Sequence, residues 1–119
     1  MRLSWLFLAL IFATALAYAQ HVALAEFLYW RYPWFDTFMH FLGGLTIGTL
    51  VIGVFKDLRP RLFLLALIAV AVGWEIFELM IHAERETNFA FDTSLDILMD
   101  SLGALLAYVV ARFTVWRSV

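Results

Sequence analysis

Four apolar runs divide almost the whole chain, at about residues 3–28, 35–55, 62–81 and 95–110. A helix needs about 20 apolar residues, with a range of ~17–25, to cross a hydrocarbon layer ~30 Å thick. The first three runs meet that length outright. The fourth meets it with some thinning of the bilayer, or with Arg112 and Arg117 snorkelling to the interface. The reading is an all-α, polytopic transmembrane four-helix bundle, a single domain over residues 1–119. Composition agrees: 65% hydrophobic residues and a mean hydropathy of +0.90 exceed what a soluble domain of this size can hide.

The connections are short. Residues 29–35, Tyr-Trp-Arg-Tyr-Pro-Trp-Phe, read as an interfacial aromatic belt. Residues 56–61 form a basic turn in which Pro60 is placed to start the third helix. Residues 82–94 read as a polar loop carrying Glu84, Arg85, Glu86 and Asn88. Lys and Arg in short loops mark the cytoplasmic side. With four spans, Arg2, Lys56, Arg59, Arg61, Arg112 and Arg117 fall together, six of the eight basic residues. The opposite side keeps Arg31, Arg85 and nine of the ten carboxylates, all but Asp57. That asymmetry predicts both termini in the cytoplasm of a plasma (inner) membrane protein, with its acidic face towards the periplasm or exterior. Ala-Leu-Ala-Tyr-Ala-Gln at 15–20 also has the look of a signal-peptide cleavage site, but apolar character continues to Leu28, and an uncleaved span is the expectation.

Five carboxylates lie inside the apolar runs: Asp36, Glu75, Glu78, Asp96 and Asp100. A charge near the bilayer centre costs at least ~2.5–3.5 kcal/mol on insertion scales, so a chain seldom carries one without a use or a partner. Their spacing is helical. Asp36 and His40 are four apart on the second run; Glu75, Glu78 and His82 share a face of the third; Asp92, Asp96 and Asp100 share a face of the fourth. At 1.5 Å per residue, Glu75 and Asp100 both lie roughly 10 Å below the outer boundary. Three helices thus bring polar faces to one depth, which predicts a shared site.

Ordinary structural roles exist for several of these residues. Asp36 reads as a cap after Pro33, and Thr93-Ser-Leu-Asp96 fits a capping box. His82 reads as interfacial and Glu84, Arg85 and Glu86 as a solvated loop, while His82, Arg85 and Asp92 are also additional candidates for the polar site. Deeper on the same faces, Gly43, Gly44 and Gly48, with a GxxxG spacing, and Gly103 and Ala104 predict close helix packing.

Several carboxylates cannot all ionise side by side in a low dielectric, so some are protonated or share a cation. Oxygen ligands with one or two imidazoles suit a divalent metal: Mg, Mn, Ca, Fe or Zn. The metal candidates are Asp36, His40, Glu75, Glu78, Asp96 and Asp100. Di-iron bundles use Glu-x-x-His, whereas Glu78 and His82 are four apart here. Arg31 or Arg85 folding in on the acids is the other compensation. No cysteine is present, which excludes disulfides and thiolate sites, and no basic stripe points to nucleic acid.

The set Asp36-x-x-x-His40-Phe-x-Gly-Gly, Glu75-x-x-Glu78 and Asp96-x-x-x-Asp100-x-x-Gly103-Ala104 resembles the VanZ-like superfamily of small bacterial integral membrane proteins, closest to its uncharacterised YjdF-type branch. The likeness covers about residues 34–108. VanZ proteins more often show Glu-x-x-Gln and Asp-x-x-x-Asn where this chain has Glu78 and Asp100. Their name comes from reduced susceptibility to the glycopeptide teicoplanin, and no agreed reaction accompanies it.

Three functions fit. One is a membrane-embedded enzyme or binder of a polar lipid headgroup or envelope precursor, using a divalent cation to grip phosphate and His40 or Glu75 as general base. A second is a cation- or proton-handling transporter component. A third is a non-catalytic assembly subunit, in a homo-oligomer or with a membrane protein partner whose basic residues meet the acids.

Overall fold

A computed structural model describes residues 2–55, 59–80 and 89–115. The described chain is helical: α1 (Leu3–Glu26), α2 (Leu28–Arg31), α3 (Phe35–Val54), α4 (Pro60–Met80) and α5 (Phe89–Phe113), with no strand among the described residues. In lipid each segment must satisfy its own backbone, and a helix does so without a neighbour. Helices α1, α3, α4 and α5 are each long and apolar enough to cross a membrane. Residues 56–58 of the basic turn, 82–88 of the polar loop and Arg117 lie outside the described residues.

Two boundaries differ from the sequence reading. The first run breaks at Phe27, whose left-handed backbone (φ 56°, ψ 41°) caps α1 by donating its N–H to the Ala23 carbonyl. A non-glycine in that region costs about 1–2 kcal/mol, and no Gly or Pro advertises the break. Helix α2 is then a single turn, leading through Tyr32-Pro33-Trp34 into α3. The second difference is at α5, which begins at Phe89 rather than near Leu95. Thr93 therefore sits inside the helix and is no capping residue.

Helix α3 is the centre, packed against α1 on one side and α5 on the other, while α4 lies along the edge of α3 and α5. Small residues permit the closest contacts. A β-carbon on Gly44 would come 2.0 Å from the Asp100 carbonyl oxygen, and one on Gly103 would come 2.2 Å from that of Phe41. Gly48 meets Ala104 and Ala107 in the next turns. Backbones this close need no hydrophobic driving force; dispersion between well-fitted surfaces suffices in lipid.

Helix α1 runs antiparallel to α3. At one end Arg2 clasps the α3 C-terminus: its N–H donates to Gly53 O at 2.8 Å, and Nη1 donates to Ile52 O at 3.2 Å and Phe55 O at 2.7 Å. A cation there satisfies terminal carbonyls and opposes the negative end of the helix dipole. Trp5, Ile52, Phe63, Leu67, Ala104, Ala107 and Ala111 form the core at this end. At the opposite end Ala23, Phe35 and Met39 pack together, ringed by the aromatic pairs Tyr29–Phe35 and Trp34–Phe38.

Helix α4 buries one residue per turn. Phe63, Leu67, Ala71 and Glu75 form that stripe, four apart, while Leu64, Leu65, Ile68, Trp74 and Ile76 are exposed where lipid would cover them. Two hydroxyls inside the bundle are satisfied within their own helix: Thr49 donates to Leu45 O at 2.8 Å and Ser101 to Ile97 O at 2.7 Å.

Candidate functional site

The acidic residues of α3 and α5 meet at the end of the bundle away from Arg2. Asp36 is the second residue of α3, in its first turn; the N-cap is Trp34, and no side chain caps it. Asp36 instead looks one turn along to His40, with Oδ1 3.6 Å from Nε2. From α5, Asp96 Oδ2 lies 3.3 Å from the same nitrogen. Asp100, one turn deeper, places Oδ1 3.2 Å from the other nitrogen, Nδ1. Both ring nitrogens of one imidazole are thus held between carboxylates of two helices.

The depth is set by packing. Gly44 is one turn after His40, and its contact with the Asp100 carbonyl fixes α5 at the height where the carboxylate meets Nδ1. Gly43 leaves ordinary van der Waals room beside that carboxylate, 3.8 Å from where its β-carbon would stand. Asp96 and Asp100 are buried, 4% and 5% exposed, whereas the Asp36 side chain is 40% exposed. Asp36 therefore stands at the mouth and Asp100 at the floor.

One donor atom each from Asp36, His40 and Asp96 lies within 4.8 Å of the others. Three acidic groups around one imidazole carry a negative excess that low-dielectric surroundings penalise, so the arrangement favours a cation or a proton among them. Asp100 faces away from that set, on the far side of the ring.

Glu75 is also buried, 9% exposed. Ile52 and Phe63 share the core at the Arg2 end. His40 is twelve residues back from the first and Glu75 twelve on from the second, so both stand about 18 Å from that layer at 1.5 Å per residue. Glu75 shares the site's level but is not in the convergent donor group among the described residues. Thr93 Oγ1, also on α5, is buried without a hydrogen-bond partner among the described residues. The side chains of Glu78 and Asp92, and the whole of His82 and Arg85, lie outside the described residues. Arg31 sits with its guanidinium carbon 5.8 Å from the Tyr32 ring centre.

Asp36, His40, Asp96 and Asp100 were all evident from spacing. What spacing does not carry is the division of three carboxylates between two ring nitrogens, because that depends on where α5 sits against α3.

Four membrane-length helices, two of which bring a His–Asp cluster together, define a multi-pass integral membrane protein. The chain belongs to the family described as Predicted membrane protein (DUF2238), which it matches over residues 1–117. No curated protein and no solved structure matches it.

Proposed function

We propose that this protein binds a divalent cation through Asp36, His40 Nε2 and Asp96, and uses the ion to hold the phosphate of a polar lipid headgroup or envelope precursor. The observation behind it is the convergence of Asp36 Oδ1 and Asp96 Oδ2 on one imidazole nitrogen, at 3.6 and 3.3 Å. Neighbouring ligands on a metal at ~2.0–2.2 Å stand about 3 Å apart, so small side-chain movements close the set. One imidazole and two carboxylates leave coordination positions open, where phosphate oxygens would bind.

If the site is hydrolytic, this geometry redistributes the roles. With Nε2 on the ion and Nδ1 against Asp100, His40 keeps no nitrogen for proton transfer. The general base then falls to Glu75, at the same level on α4. Both termini are cytoplasmic in this reading, and the site opens outward near the aromatic belt. The VanZ-like spacing supports the same shared polar site.

Elemental mass spectrometry on detergent-purified protein tests the proposal directly, with wild type beside His40→Gln and Asp96→Asn. Stoichiometric metal in the wild type alone supports it. None in any sample, even after incubation with Mn²⁺ and Zn²⁺, removes the cation mechanism.

A second reading replaces the metal with a proton. The three nitrogen–oxygen separations, 3.2–3.6 Å, also suit ion pairs between a charged His40 and its carboxylates. The cluster would then clasp α3 to α5, in an assembly subunit or a cation- or proton-handling component.

A further inference from the structure

We infer that Asp100 is a positioning residue, which turns the His40 ring so that Nε2 faces the cation, and not a ligand itself. This rests on the cation reading above. Asp100 Oδ1 lies 3.2 Å from Nδ1, while Asp36 and Asp96 approach Nε2. The two nitrogens point to opposite sides of an imidazole ring, so one ion cannot contact Nε2 and a carboxylate seated on Nδ1. A carboxylate only accepts, so the hydrogen bond at Nδ1 has the ring N–H as donor. With the cation seated between Asp36 and Asp96, the proton stays on Nδ1 and Nε2 gives its lone pair to the ion. Metal-binding histidines commonly have their second nitrogen held this way, which fixes tautomer and ring orientation and raises ligand basicity.

The bundle holds Asp100 in that role at two points. Its carbonyl oxygen rests on Gly44, and Gly103, in the next turn of α5, rests on the Phe41 carbonyl. Both contacts fall on α3 within the turn that follows His40 and leave little freedom for α5 to slide. The burial of Asp100, 5% exposed, keeps water from competing for the Nδ1 hydrogen.

The test pairs Zn²⁺ titration calorimetry with nitrogen NMR of ¹⁵N-histidine-labelled protein in detergent, the His40 signals assigned by their loss in His40→Gln. Zn²⁺-loaded wild type is expected to show His40 protonated at Nδ1 and metal-bound at Nε2. Asp100→Asn, whose amide oxygen still accepts from Nδ1–H, should keep one Zn²⁺ per chain with affinity reduced ~10-fold, and Asp100→Ala should weaken it ~100-fold. Asp96→Asn should bind far more weakly than either. An Asp100→Asn protein that binds no Zn²⁺ at saturation, like Asp96→Asn, would make Asp100 a ligand and overturn the inference. A His40 protonated at Nε2, or metal-bound through Nδ1, in the Zn²⁺-loaded wild type would overturn it too. Wild type that takes no Zn²⁺ yet shows Asp100-dependent protonation at Nδ1 refutes the cation reading alone, leaving ring orientation as the role of Asp100.

Discussion

The α-carbon of Gly44 lies against the carbonyl of Asp100, so closely that a β-carbon there would stand 2.0 Å from the oxygen. The same residue, Asp100, touches His40 through its side chain. Packing of the two backbones and geometry of the cluster are therefore one constraint, and substitutions at the glycine should register in both.

Gly44→Ala has no flexible neighbour to yield, because the obstacle is backbone. Overpacking of this kind costs about 1–3 kcal/mol, and α5 must also move off His40. Thermal unfolding in detergent should show a marked loss for Gly44→Ala and for Gly103→Ala. Gly73→Ala is the control: nothing lies within 4 Å of its would-be β-carbon, and the change should stay within about 1 kcal/mol of neutral.

Cation affinity should fall unequally across the ligands. Asp96 is nearly sealed and 3.3 Å from Nε2, whereas Asp36 is farther, at 3.6 Å, and 40% exposed. A half-exposed oxygen is more readily replaced by water. Zn²⁺ or Mn²⁺ titrations should therefore rank Asp96→Asn below Asp36→Asn, with Glu75→Gln retaining wild-type stoichiometry. Equal loss in Asp36→Asn and Asp96→Asn would contradict the depth ordering.

Arg2 should matter to stability though it is remote from the site. Replacing it with Gln removes the charge that opposes the α3 dipole and weakens two contacts to terminal carbonyls, at Ile52 and Phe55. The expected loss is about 1 kcal/mol in thermal unfolding. Cation affinity should stay unchanged, since Arg2 is at the opposite end of α3.

The sidedness of charge predicts the outcome of reporter fusions. A fluorescent protein that matures only in the cytoplasm should glow at the C-terminus, and alkaline phosphatase inserted after residue 88 should be active. The reverse pattern would turn the site towards the cytoplasm.

Much of this architecture is legible from residues alone. Hydropathy locates all four long helices, because lipid rewards continuous apolar length, and three- and four-residue spacing selects Asp36, His40, Asp96 and Asp100. The misplaced boundaries have local causes. Phe27 adopts a left-handed backbone with no glycine to signal it. Thr93-Ser-Leu-Asp96 imitates a capping box inside a helix that starts four residues earlier, at Phe89. The Arg2 clasp is invisible in sequence, since its partners are main-chain carbonyls about fifty positions away. The split between Nδ1 and Nε2 is hidden for a similar reason. It follows from the height at which Gly44 and Gly103 let α3 and α5 settle.

The central position of α3 has a consequence for how the molecule is made. His40 and Asp100 are 60 residues apart, so at ~5–20 residues per second the ribosome needs roughly 3–12 s between them. Throughout that interval α3 carries Asp36 and His40 with no α5 to meet them. The nascent second span must linger with its polar end near the headgroups or beside the insertion machinery, and it takes its final place only when the last helix arrives. The cluster is thus the closing event of biogenesis, and a chain truncated before Asp96 should be recognised by the cell as unfinished.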